Sequence, residues 1–167
     1  MKQEITQDYL KSILHYDQET GLFRWVNSSR HGFNGRIAGS LDKDYFKIRI
    51  LNKGYLSHRL AWLYVYGYFP EYVDHINRVT TDNRICNLRE ATLSENCMNQ
   101  TIKTNNTSGV KGVFFCNTHR KWKSQITINK KQISLGSFNN IEDAKKVINE
   151  ARIKYHGEFA NHGEFKQ

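Results

Sequence analysis

The sequence predicts an α+β chain in two parts, and three observations carry that prediction. Three stretches repeat apolar residues at helical spacing: Thr6 to Tyr16, Leu56 to Tyr66 and Ile141 to Tyr155. Other stretches alternate apolar and polar residues, most sharply KWKSQITI at 121–128. Between these regions lies TIKTNNTSG at 101–109, polar throughout and without apolar periodicity, which reads as a linker. The expected parts are therefore 1–100, a linker at 101–109, and 110–167. Charge divides the same way. Residues 101–167 hold 12 Lys+Arg and 5 Asp+Glu, against 13 and 11 in residues 1–100, so most of the net +9 lies in the second part.

In the first part, Thr6 is a helix cap, Asp8 favours the helix N-terminus, and Leu10, Ile13 and Leu14 form one apolar stripe. Asp17 to Gly21 is a turn and Leu22 to Trp25 a strand. Asn27 to Gly35 is a polar loop with Arg30 and His31, followed by Arg36. Tyr45 to Leu51 is a half-buried strand, with Phe46, Ile48 and Ile50 facing in and Lys47 and Arg49 facing out. Asn52-Lys53-Gly54 is a turn. The 56–66 helix puts Leu60, Leu63 and Tyr64 on one face and ends at Gly67. His58 at its start is expected to pack beside the following segment, and Arg59 to reach a phosphate.

In the second part, Val110 to Phe115, Lys121 to Ile128 and Gln132 to Leu135 are three short strands. Turns at Asn117 to Arg120 and Asn129 to Lys131 join them. Trp122, Ile126 and Ile128, with Ile133 and Leu135, face inward. The 141–155 helix covers that side with Ala144, Val147, Ile148 and Ala151. The other side is left basic and polar.

Several classes are excluded or disfavoured. No apolar run approaches a membrane span. MKQEITQDYL lacks the apolar stretch of a signal peptide. Cys86, Cys97 and Cys116 form no CxxC pair, so no zinc site is expected, and the odd count fits a reducing cytoplasm. A pI near 9.5 points to an anionic partner, most often nucleic acid.

The chemistry concentrates in YVDHINRVTTDNRICNLREATLSENCMNQ, residues 72–100. An apolar strand ends on Asp74-His75. A loop rich in Asn, Asp, Arg and Thr follows, in which Asn83 reads as a turn former. Thr92-x-x-Glu95 is a capping box that starts a short helix carrying Asn96, with Asn99 one turn beyond. Imidazole takes a proton near neutral pH, and carboxylate and amide oxygens suit a hard cation that keeps its water. These residues resemble the HNH nuclease motif, in the variant whose last His is Asn. The phrases His58-Arg-Leu-Ala-Trp62, Asp74-His-Ile-Asn77, Asp82-Asn-Arg84 and Asn87-Leu-Arg89 are similar to phage and intron-encoded HNH homing endonucleases. The resemblance implies a ββα-metal finger preceded by a helix and strands. It implies His75 as general base, Asp74 and Asn96 as ligands of Mg²⁺ or Mn²⁺, and Asn87 as support for the imidazole or the scissile phosphate. Products would carry 5′-phosphate and 3′-hydroxyl ends.

A second resemblance covers the end of the chain. Ser108-Gly-Val-Lys-Gly-Val113, Lys121-Trp122, Leu135-Gly-Ser-Phe138 and Tyr155-His-Gly-Glu-Phe-Ala160 look like the plant ethylene-response-factor DNA-binding domain. That domain reads the major groove with a three-stranded antiparallel sheet packed on one helix. Its contact positions fall on Lys111, Gln125, Thr127, Gln132 and Ser134, and strand parity adds Lys121 and Lys123, with Arg120 in the preceding turn. This chain has few of the arginines that family carries there.

The expected function is a site-preferring endonuclease of the homing type. It would act on double-stranded DNA as a monomer or weak dimer, in the cytoplasm of a bacterial host that carries the phage or mobile element. No small-molecule cofactor and no membrane partner are expected. The alternative from another class is a non-catalytic DNA-binding regulator retaining a nuclease-like finger. A third reading, an RNA-binding accessory protein, rests on charge alone.

Overall fold

Thr6 opens the first helix as its composition predicts, with its hydroxyl accepting from the Tyr9 N–H at 3.3 Å. The structure is a computed structural model that describes residues 5–27, 31–102, 104–128 and 131–163. It divides into two compact units, Met1–Ala91 and Thr92–Gln167. That boundary precedes the expected linker. Helices and small antiparallel sheets make up both units.

In the first unit, helix α1 (Gln7–Ile13) stops earlier than its apolar stripe predicts. Leu14 takes extended geometry, and Leu14–Asp17 forms strand β1 against β2 (Leu22–Trp25). Pairing with β2 buries both Leu14 and Tyr16, and tertiary burial outweighs local periodicity. The Asp17 to Gly21 turn forms as expected, with the Asp17 carboxylate accepting from the Glu19 and Thr20 N–H groups. Gly21 sits at φ +72°, and a Cβ there would lie 2.5 Å from the Arg84 backbone nitrogen. Only glycine lets this turn approach the 83–84 backbone so closely.

Strand β3 (Ser40–Asp42), which the sequence did not signal, flanks β4 (Tyr45–Ile50), and β5 (Lys53–Leu56) completes the sheet in the order β3-β4-β5. Ile48 and Ile50 are buried and Lys47 and Arg49 exposed, as the alternation predicts. The tight turn is Leu51-Asn52 rather than 52–54, with both residues at positive φ, and Lys53 and Gly54 belong to β5. Helix α2 (Ser57–Tyr66) buries Leu60 and Leu63 and ends on left-handed Gly67. Strand β6 (Tyr72–His75) pairs antiparallel with β7 (Leu88–Ala91), a strand the polar composition of this stretch had hidden. In the polar loop after β2, Arg30 lies outside the described residues, and His31 and Arg36 are exposed.

In the second unit, the capping box forms. The Thr92 hydroxyl accepts from the Glu95 N–H, and the Glu95 carboxylate accepts from the Thr92 N–H, starting α3 (Leu93–Met98). Strands β8 (Val113–Cys116), β9 (Lys121–Ile128) and β10 (Lys131–Phe138) form an antiparallel sheet in the order β10-β9-β8. Helix α4 (Ile141–His156) covers one side with Ala144, Ile148 and Ala151. Strand β8 starts later than expected because Val110 to Gly112 form a turn. Ile133 pairs with Ile126 and so lies on the same inward side as expected, yet on an edge strand it stays 43% exposed. The expected turn at Asn129 to Lys131 falls mostly outside the described residues, and Lys131 belongs to β10.

Within the expected linker, residues 106–109 are built into this unit. Ser108 Oγ donates toward the Val113 carbonyl at 2.7 Å, and Asn106 Oδ1 accepts from the Gly109 N–H at 2.8 Å. Polar composition suggested a tether, but these side chains satisfy local backbone groups instead.

Candidate active site

The β6–β7 hairpin sets the register of the site. Asp74 lies directly opposite Arg89, and His75 opposite Leu88. The Arg89 guanidinium donates to Asp74 Oδ2 through Nε at 2.9 Å and Nη2 at 2.8 Å. Both side chains are largely buried, so each charge depends on the other.

The loop between the strands is held by its own polar side chains. Asn87 Oδ1 accepts from the Asn77 N–H at 2.9 Å, and Asn87 Nδ2 donates to the Asp82 carbonyl at 2.8 Å. Asn77 Nδ2 donates to the Asp82 carboxylate at 2.6 Å. Arg84 grips the same carboxylate with two bonds, at 2.8 and 2.7 Å. The Arg84 hydrogen bond is the main reason Asp82 is pulled down to about 2. A short loop rich in Asn and Asp thus satisfies backbone groups that no strand or helix serves.

His75 is 5% exposed. Its Nε2 lies 3.2 Å from Asn83 Oδ1, while Asn83 Nδ2 points to the Thr81 carbonyl. The amide oxygen therefore faces the ring, Nε2 carries the proton, and the lone pair lies on Nδ1. Asn83 is itself held, since the Tyr16 hydroxyl donates to its carbonyl at 2.6 Å. Asn83 is thus an imidazole-orienting residue rather than only a turn former. The signal was present in the Asp82-Asn-Arg84 phrase, but nothing in the sequence says that the amide points inward.

Electrostatics keep the imidazole neutral. Burial lowers the His75 pKa below the ordinary histidine value, partly offset by the Asn83 bond and by the charges of Asp74 and Asp82. His58 packs beside it as expected, with ring centroids 4.9 Å apart and planes at 76°. Burial, reinforced by His75 and Arg59, pushes His58 down to about 3. Two facing imidazoles of this kind stay uncharged near neutrality, and a neutral ring is one that accepts a proton.

The donors expected for a metal are a carboxylate and an amide oxygen, the kind a hard, hydrated cation takes. Such an ion takes one or two carboxylates and fills its remaining positions with water and substrate phosphate. Asp74 is the carboxylate at the strand end. Among the described residues no three His, Cys, Asp or Glu side chains gather at metal-ligand spacing. Asn96 is half-buried on α3, in the second unit, so the expected ligand pair spans the unit boundary in sequence. Asn99 is buried, and its carbonyl accepts from Asn161 Nδ2.

The other expected contacts fare differently. Arg59 donates to the Pro70 and Glu71 carbonyls at 2.9 and 3.1 Å, which secures the turn into β6. Lys111 donates to the Met98 and Gln100 carbonyls at 2.8 and 2.6 Å, capping the end of α3. Arg120, Lys121, Thr127, Gln132 and Ser134 are exposed, and Lys123 and Gln125 half-buried. Gln132 pairs with Thr127 and Ser134 with Gln125, so these four side chains share one face of the sheet.

Comparison with known proteins gives this geometry a family. An HNH endonuclease family model matches residues 55–98, from the end of β5 through α3. Protein 3.8 of Escherichia phage T7 is 30% identical over 105 residues, which is 62% of this chain and 86% of that protein. No solved structure matches the chain. The buried Asp74-His75 pair and its Asn-braced loop lie inside the matched segment; residues 55–98 are an HNH endonuclease domain, and the chain belongs to the family of the phage T7 protein.

Proposed function

We propose that the chain is a divalent-metal-dependent DNA endonuclease of the homing type, with His75 as its general base. One observation carries this reading: His75 is a buried, neutral imidazole held by Asn83 through Nε2 inside the segment that the HNH family model matches. The role of His75 is to take a proton from the attacking water. Asn83 and His58 hold the ring in orientation, and Asn87 holds the loop around it. Asp74 and Asn96 are the proposed ligands of Mg²⁺ or Mn²⁺. When bound, such an ion neutralises phosphate charge and the leaving oxygen. Exposed Arg120, Lys121 and Thr127, with the neighbouring polar side chains of the sheet, are proposed to hold duplex DNA.

One observation favours the second reading, a regulator without catalysis: Arg89 already neutralises the Asp74 carboxylate. End-labelled duplex DNA incubated with Mg²⁺, with and without chelator, separates the two. Chelator-sensitive cleavage that vanishes in His75→Ala supports the nuclease. Binding without cleavage at any divalent ion concentration leaves the regulator.

A further inference from the structure

The second unit holds a cavity of about 350 Å³ whose lining includes two cations, Lys111 and Arg152, and, among the described residues, no carboxylate. Lys111, Arg152 and His156 line it, with Gln125 and Thr127 beside them. Arg152 is the anomaly. It sits on α4 in the row of Ala144, Ile148 and Ala151 and is only 2% exposed, yet no carboxylate pairs with it among the described residues. Its guanidinium donates to Asn149 Oδ1 at 3.1 Å and to the Lys111 carbonyl. Those bonds use two of its five N–H groups and neutralise none of its charge. Burial accordingly pushes it down to about 10. A buried charge with no counter-charge is costly, and native structures seldom keep one without a use.

His156 supplies the second observation. Its Nε2 lies 3.3 Å from the Thr127 carbonyl and so carries the proton, while its Nδ1 is buried and has no hydrogen-bond partner among the described residues. The residues that carry this nitrogen and this guanidinium, His156 and Arg152, both line the one cavity.

We propose that this cavity is a phosphate-binding pocket, taking inorganic phosphate or the monoester phosphate at the end of a nucleic-acid strand. Arg152 would bind an anionic oxygen with its remaining N–H groups. His156 Nδ1 would share a proton with a second oxygen. That bond needs either a protonated ring or an acidic phosphate O–H, and inorganic phosphate and monoesters have such a group, with a second pKa of about 6. A backbone diester has none. The pocket is independent of the His75 chemistry, and its occupancy is measured without cleavage.

The test is calorimetric titration of the full chain with inorganic phosphate, against sodium chloride at equal ionic strength. Saturable binding is expected in phosphate alone. Arg152→Gln should weaken it by about tenfold or more, the scale of one lost charge-assisted bond, and His156→Ala should weaken it less. Circular dichroism checks the fold of each variant. Short oligonucleotides with and without a 5′-phosphate distinguish the sources: preference for the phosphorylated strand assigns a strand end, and equal affinity assigns the free anion. Absence of saturable phosphate binding overturns the proposal. So does undiminished binding in Arg152→Gln or, should that variant not fold, in His156→Ala.

Discussion

In the 72–91 hairpin, Asp74, His75, Asn83 and Asn87 are each no more than 5% exposed, and each is bonded to another polar group. On β9, Lys121 and Thr127 stand in solvent, and Lys123 and Gln125 are half-exposed. Polar residues are equally dense in the two places but work differently. In the hairpin they replace a hydrophobic core for a loop that has none, so folding and chemistry share the same bonds. On the sheet the fold is carried by the opposite, apolar side, so the exposed residues are independent of stability and of each other. Damage should therefore be coupled in the first unit and separable in the second.

The largest expected break in this contrast is His75→Ala. Cleavage should fall by ~10²–10⁴-fold, the usual contribution of a general base, while duplex affinity stays nearly unchanged. Single-turnover cleavage and a binding titration on the same preparation check it. Parallel loss of binding in a folded variant would make His75 a structural residue.

Asn87→Ala should show the coupling itself. It removes two bonds that close the loop, to the Asn77 N–H and the Asp82 carbonyl. Stability should fall by about 1–3 kcal/mol, since two half-buried backbone groups lose their partner, and cleavage should fall with it. Urea unfolding beside the cleavage assay tests this. Full activity in a destabilised protein would separate what the hairpin is argued to join.

Acid sharpens the comparison. The unfolded chain binds protons at His58 and His75 near pH 6.5, whereas the folded first unit holds both lower, His58 at about 3. The unfolded state thus takes up more protons below pH 6.5. Stability contributed by the two neutral rings is complete above about pH 6.5 and is lost as pH falls toward 3, by a few kcal/mol from His58. His58→Phe should flatten that loss in a pH series of thermal unfolding curves. Cleavage should keep its alkaline plateau and decline only as pH drops through the lowered His75 value. Removing the Asn83 bond, which raises that value, should move the decline to still lower pH in Asn83→Ala.

The smallest effect belongs to the sheet. Lys121→Ala with Lys123→Ala should lower the slope of log affinity against log salt by about two, one per phosphate contact, and leave the unfolding curve in place. An unchanged slope would remove this face from DNA binding.

The sequence by itself determined the elements whose cause is local. Thr6 and the Thr92–Glu95 box cap their helices because a side chain reaches its own backbone. Alternation from 121 to 128 sets which side chains of β9 face α4, because strand period is two. The phrases around Asp74-His75 were legible as an HNH resemblance because they stand in one order in the chain, and the family match falls on them. What depends on partners far along the chain was not legible. Periodicity extended α1 to Tyr16, but pairing with Leu22–Trp25 made Leu14–Asp17 a strand. Asn83 read as a turn former until Tyr16, 67 residues away, fixed its carbonyl and turned its amide oxygen to His75. Lys111 read as a DNA contact, and its ammonium instead caps α3. Only tertiary structure decides such cases, because a polar side chain goes to whichever buried group lacks a partner, and that group is set by the fold rather than by neighbours in sequence.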